Sequence, residues 1–301
     1  MGHLMNMAVK KYESISLRKI KISGTNDRKH WVGDGFHVYN LLRPVAELNP
    51  FISPFLLMDY AAPKEFAKSD TPKGVGEHPH RGFETVTFAY QGEVEHRDSS
   101  GAGGIIKPGD VQWMTAGSGL VHEEFHSREF TRKGGTFEMV QLWVNLPKKT
   151  KMTPPKYQAI ESKDIVNIDL SEKSNLRVIA GEFESIKGPA STHTKINVFD
   201  IESSNDKVEL PLEKNTNTIL LILKGEAEIE SQKFPEKSLI IFDKEGDAIG
   251  FKTSKKFKAL ILNGDPIDEP VVAHGPFVMN TTDEILEAMR DFQNGKMGRL
   301  K

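Results

Sequence analysis

Ten histidines occur in 301 residues, and five of them, His78, His80, His96, His122 and His126, fall between positions 78 and 126. An even spread would put roughly one or two in that window. Imidazoles gathered so closely are the raw material of a metal site or of proton transfer. Spacing narrows the choice. In His78-Pro79-His80 the histidines are two positions apart, which on an extended strand puts both rings on one face. His122-Glu123-Glu124 does the same for one imidazole and the Glu124 carboxylate. If the two strands lie side by side, three nitrogens and one oxygen converge. That donor set suits one divalent transition metal: Fe(II), Mn, Ni, Cu or Zn. A lone His-x-His is usually a pair of surface histidines; the second pair, arriving after the turn Gly117-Ser118-Gly119, favours the site. His96 and His126 are expected outside the ligand set. His126 either orients a ligand from behind or lies plainly on the surface.

Strands must position these groups, and strands dominate the chain from about residue 15 to 265. Short apolar or alternating runs bounded by Gly, Pro, Asn and Asp recur, among them Thr85–Tyr90, Met139–Val144, Ile196–Ile201, Thr218–Leu223 and Ala259–Leu262. Long helical patterns between them are missing, so sandwiches or barrels are expected rather than βαβ units. Pro79 lacks a ladder donor and therefore expects a strand edge or a bulge. One helix is expected near the end. Thr281 and Glu284 form a capping box, Ile285, Leu286, Met289 and Phe292 share a helical face, and Gly295 supplies the stop.

The chain divides in two. Residues 147–160, proline-rich and basic, are expected to link an N-terminal metal-binding barrel at 8–146 to a C-terminal barrel with the terminal helix at 161–301. Glu84–Glu95 can be laid over Asn217–Glu228 with Thr, Gly and both Glu positions matching, which points to duplication. Only His193 and His274 lie beyond residue 150, so the second barrel is expected to carry no metal.

Composition excludes several function classes. Hydrophobic residues at 38% and charged residues at 27% suit a packed chain. Cys is 0, so any metal must be held by His and carboxylates, and no cysteine nucleophile exists. Forty basic residues against 42 acidic ones argue against a nucleic-acid binder. No apolar run approaches the roughly 18–20 residues that cross a bilayer, and residues 1–7 lack a signal-peptide core. A start at Met5 or Met7 and a cytoplasmic location are expected.

Several long motifs resemble the pirin family of the cupin superfamily. They are Glu77–Thr87 with its Glu-His-Pro-His-Arg-Gly-Phe-Glu core, Lys107–Glu124, Gln141–Leu146 and Gly275–Thr281. The resemblance implies an all-β fold of two tandem antiparallel cupin barrels, a bicupin, with a short C-terminal helix. It implies a metal, usually iron, held in the first barrel by three His and one Glu. Carried over position by position, these are His78, His80, His122 and Glu124. Glu84, which stands where many cupins have a ligand, is then structural or outside the ligand set.

A quercetin 2,3-dioxygenase-type reaction is also implied, in which a small aromatic substrate, a flavonol, meets O2, the central ring opens and CO leaves. Glu124 would be the general base. Phe83, Trp113 and Met114 are expected at the mouth of the site, as a flat substrate-binding wall, although aromatics in barrel strands are more often core. Arg81 would pair with Glu84 or with a substrate anion. Two other readings remain open. One is a non-catalytic, metal-dependent regulator that binds a protein partner through Lys148–Lys151 or Lys255–Lys258. The other is a cupin isomerase or small-molecule binder.

Overall fold

The computed structural model describes residues 15–300; the expected start at Met5 or Met7, and residue 8 as a domain start, lie outside them. The first strands in chain order are β1 (Ile20–Gly24), β2 (Lys29–Val32), β3 (Phe36–Leu42), β4 (Phe55–Phe66), β5 (Gly74–His80) and β6 (Phe83–Gln91). Next come β7 (Val94–Asp98), β8 (Gly103–Ile106), β9 (Val111–Thr115), β10 (Leu120–His126), β11 (Gly135–Asn145) and β12 (Lys156–Ile160). Two sheets close the first barrel. One runs β12-β9-β6-β11-β4-β3-β2 and the other β5-β10-β7-β8, all antiparallel.

The second half repeats the plan. Its strands are β13 (Val166–Ser171), β14 (Ser174–Ala180), the small hairpin β15 (Glu182–Phe183) and β16 (Ile186–Lys187), β17 (Ile196–Ser203) and β18 (Lys207–Pro211). They continue with β19 (Asn217–Lys224), β20 (Glu226–Ile229), β21 (Gln232–Pro235), β22 (Leu239–Phe242), β23 (Ala248–Thr253) and β24 (Phe257–Gly264). The sheets run β1-β22-β19-β24-β17-β14-β13 and β18-β23-β20-β21. The two halves share their strand order, with β6 and β19 at equivalent places, which is the repeat expected from Glu84–Glu95 and Asn217–Glu228. The fold is a bicupin.

The edges are exchanged between the halves. β12, from the expected linker, completes the first barrel's sheet against β9, while β1, from before that barrel, pairs with β22 of the second. Arg18 anchors this leading segment. Its buried guanidinium donates to the Thr216 carbonyl at 2.7 Å and the Glu213 carbonyl at 2.6 Å. The stretch Lys148–Lys151 also differs from a solvated run, because Lys151 is buried and its Nζ donates to Gly82 O and Asn145 Oδ1.

Alternation decides what each barrel contains. On β6, Val86 and Phe88 face the seam between barrels, where they pack with Leu142, Ile219, Leu221 and Leu262 in one core. Full burial of such side chains is worth about 1.5–3 kcal/mol each. The opposite face of β19 carries Leu220 and Ile222 into an apolar interior with Leu210, Ile249 and Phe251. The same face of β6 carries Thr85 and Thr87, both fully buried. At these positions the first barrel's interior is polar where the second's is apolar.

Few helices interrupt the strands: α1 (Asn49–Ile52), α2 (Arg128–Lys133) and α3 (Thr282–Gln293). The capping box of Thr281 and Glu284 forms as expected. The buried face of α3 is Ile285, Ala288 and Met289, however, and Leu286 and Phe292 are exposed. Leu286 lies about 100° around the helix from Ile285 and so points away from the barrel. Together with the hairpin β25 (Val272–His274) and β26 (Phe277–Met279), α3 folds back onto the first barrel, where Phe277, Met279, Ile285, Ala288 and Met297 pack with Val121 of β10. No helix among the described residues is long and apolar enough to cross a membrane.

Candidate metal centre

β5 and β10 bring the two sequence pairs together. In their antiparallel register His122 faces His78 directly, and Leu120 faces His80. β5 is an edge strand of its sheet, which accommodates Pro79. The register shifts between the His122–His78 and Glu124–Val75 pairs, where β5 carries one residue more than β10, and alternation along β10 puts Glu124 on the face of His122. Ring centroids lie 4.2 Å apart for His78 and His122, 4.8 Å for His80 and His122, and 4.9 Å for His78 and His80. One ligand atom from each of these three histidines lies within 4.8 Å of the others. Glu124 belongs to a second, overlapping group with His122 and His96, at the same limit. His122 is the shared member.

Hydrogen bonds orient the rings. His78 Nδ1 donates to the Gly76 carbonyl at 2.8 Å, and His80 Nδ1 faces the Pro276 carbonyl at 3.4 Å. A carbonyl only accepts, so these rings keep Nε2 as a lone pair. His122 Nε2 is buried and has no hydrogen-bond partner. Such an atom is costly unless something binds it. Burial, reinforced by His78, pushes His80 down to about 3, and burial together with His80, His78 and His96 holds His122 well below its ordinary value. Neutral imidazole is the ligating form. An orphaned buried nitrogen among gathered imidazoles, with the Glu124 carboxylate two residues along β10, fits a divalent transition metal.

Around Glu124 stand donors that the sequence reading missed. Its Oε2 accepts from Gln141 Nε2 at 2.9 Å, and its Oε1 from Thr87 Oγ1 at 3.3 Å and Gln112 Nε2 at 3.5 Å. These come from β11, β6 and β9. Each is a polar residue flanked on both sides by apolar ones, which was the available signal.

The expected wall is only partly where it was placed. Phe83 is buried beside His80, its ring 5.1 Å away. Met114 is buried with Ala116 and Leu120. Trp113 must be corrected: it lies on the opposite face of β9, fully buried in the seam core with Val86 and Val144. The period of two that turns Gln112 and Met114 inward turns Trp113 out. Its place is taken by Trp143, half-buried, stacked on Phe83 at 4.2 Å and 5.3 Å from His80. Cavities of about 790 Å³ and 770 Å³ lie elsewhere, the first at the seam between Tyr39, Tyr60, Tyr90 and Lys237.

Two more expectations change, while Glu84 stays outside the candidate ligand groups. His126 is not exposed, and its ring nitrogen bonds to backbone instead of to a candidate ligand: it is buried among Phe36, Phe66, Phe130 and Phe137, with Nε2 3.0 Å from the Gly35 carbonyl. Arg81 pairs with Asp291 of α3 at 2.9 Å and donates to Ser118 O at 2.7 Å, not to Glu84. Glu84 shares the seam face of β6, where Thr115 Oγ1 donates to its Oε1 at 2.7 Å.

Comparison with known proteins agrees with this architecture. The family model for pirin matches residues 36–144, and that for the pirin C-terminal cupin domain matches residues 198–298. The chain is 47% identical over 276 residues to a Pseudomonas aeruginosa protein named "Putative quercetin 2,3-dioxygenase", covering 91% of this chain and 96% of that one. Mouse pirin is 37% identical over 254 residues, covering 82% of this chain and 83% of its own. A crystal structure of a quercetin 2,3-dioxygenase from Acinetobacter baumannii superposes with a TM-score of 0.91 at 51% identity, covering 95% of this chain and 100% of that one.

Proposed function

Since the chain belongs to the pirin family, we propose that it is a metal-dependent dioxygenase that opens the central ring of a flavonol with O2 and releases CO. His78, His80, His122 and Glu124 would hold the metal, Fe(II) first among the candidates. The observation that carries this reading is the convergence of three imidazoles beside a carboxylate on the polar interior of one barrel. When bound, the metal supplies Lewis-acid charge and a meeting point for substrate and O2.

The remaining work falls to the chain. Glu124 accepts the proton of the substrate's acidic hydroxyl, and Gln141, Gln112 and Thr87 keep its carboxylate aimed while it does so. Trp143, half-buried and backed by the buried Phe83 ring, offers a flat apolar surface on the His80 side, against which an aromatic ring packs. Burial of His80 and His122 keeps bulk water away from the reacting groups.

The test is loss of the quercetin absorption band under air with Fe(II)-reconstituted protein, run beside His122→Ala. Decay that requires His122 supports a metal-centred oxygenase. An intact band in metal-loaded wild type refutes the proposed activity and directs attention to partner proteins.

A further inference from the structure

His122 differs from the other two histidines in what holds its Nδ1. His78 and His80 face backbone carbonyls, which can only accept. His122 Nδ1 instead faces another imidazole nitrogen, His96 Nδ1, at 3.3 Å. Either ring could donate across that contact, so His122 is the one member of the trio whose tautomer its immediate partner leaves open.

The next residue along resolves the choice. His96 Nε2 lies 3.3 Å from Asp98 Oδ2, and a carboxylate oxygen accepts. Asp98 is itself fixed. Its Oδ1 accepts from Ser100 N at 2.8 Å, Ser100 Oγ at 2.5 Å and Ala102 N at 3.3 Å, which leaves Oδ2 for His96. A neutral His96 with its proton on Nε2 presents a lone pair at Nδ1. His122 must then carry its proton on Nδ1, and its Nε2, the buried atom without a partner, is left bare. His96 cannot swing away, because Tyr157 of β12 stacks flat on it, centroids 5.1 Å apart and planes 14° from parallel. β7 and β10 hold the chain in register, with Asp98 opposite His122 and His96 opposite Glu124.

We propose that Asp98 and His96 are positioning residues: Asp98 sets the tautomer of His96, and His96 sets that of His122, so that Nε2 of His122 is available to a metal. This rests on reading His122 as a ligand, and it adds a hydrogen-bonded imidazole and carboxylate, from a strand that supplies no ligand, as the source of that ligand's orientation.

Two variants of one position separate this role from packing. Asn at 96 places a side-chain oxygen close to where Nδ1 now lies and still accepts from His122; Leu fills the space and accepts nothing. In competition with a chromogenic chelator for Zn(II), His96→Leu is expected to weaken binding about 10- to 100-fold, and His96→Asn to stay within a few-fold of wild type. Asp98→Asn should resemble His96→Leu, because an amide N–H facing His96 Nε2 drives the proton to Nδ1, against His122. Equal loss in both His96 variants, or wild-type affinity in His96→Leu or Asp98→Asn, overturns the proposal.

A second readout needs no metal. Long-range ¹H–¹⁵N correlation on the metal-free chain labelled with ¹⁵N-histidine should show His122 protonated on Nδ1 in the wild type and in His96→Asn, and altered in Asp98→Asn. A wild-type His122 protonated on Nε2 overturns the proposal. Separately, if His122→Ala binds Zn(II) as tightly as wild type, the ligand assignment fails, while the tautomer result still decides what His96 and Asp98 do.

Discussion

In the proposed function, Glu124 is the residue on which metal binding and proton transfer meet. Three side chains donate to its two oxygens, so Glu124→Gln retains the shape and some of the contacts but cannot take a proton. Turnover is expected to fall at least about 100-fold while metal content, measured by elemental analysis, is largely retained. Undiminished turnover would remove Glu124 as the base. Glu84 offers a second test, on stability. Burial pushes it up to about 7, against about 4.3 in an unfolded chain. Between those values the folded chain keeps a proton that the unfolded chain has released, so Glu84's contribution to stability declines as pH rises through that window and is level above it. Glu84→Gln abolishes this dependence. The variant's melting temperature relative to wild type should therefore climb between about pH 5 and about pH 8; a constant difference would exclude Glu84 as its source. The grouping of Glu124 with His122 was legible, because i, i+2 spacing puts them on one face of a strand. That Glu84 turns to the seam was not, since alternation says which residues share a face and not which face is inside.

At the scale of elements, the inner faces of β9 and β11 and the returning tail make the surroundings of the site. Trp143, two positions from Gln141, shares that residue's inward face on β11. Trp143→Leu is expected to raise KM for a flavonol with the melting temperature little changed, and an unaltered KM would mean that the ring packs elsewhere. The tail is seated through Gly82, whose φ is +89° and whose added Cβ would meet the Val278 carbonyl oxygen at 2.0 Å. Gly82→Ala should therefore push β26 away and cost about 2 kcal/mol or more in urea unfolding, with faster proteolysis after residue 271. Wild-type resistance would show that the hairpin can shift without loss. The helix of this tail was readable from its capping box and apolar residues. Its packing on the first barrel, through Arg81 and Asp291, was not, because the partners are separated by most of the chain.

Across the whole molecule, the seam joins the barrels by more than apolar contact. Tyr60 Oη donates to Glu138 Oε1 at 2.8 Å and lies 3.3 Å from the Leu223 carbonyl oxygen in the second barrel. Tyr60→Phe leaves that buried carboxylate with only Gln91 as a donor. A loss of about 1–3 kcal/mol is expected in chemical denaturation, and no loss would show that water replaces the hydroxyl. The exchange of β1 and β12 completes the union, since each barrel's large sheet is finished by a strand from outside its own run of sequence.

The chain alone determined the periodic features: strands rather than helices, a duplicated unit, a capped terminal helix, and two His-containing pairs two residues apart. These are local, and backbone geometry converts them directly into faces. Long motifs added the family. What only the tertiary structure decided depends on register between strands distant in sequence: His122 opposite His78, Asp98 opposite His122, Trp113 outside and Trp143 inside, and edge strands traded between halves. A period of two is the same for either face of a sheet. Only the packing of the two barrels against each other selects which face becomes the seam and which encloses the histidines.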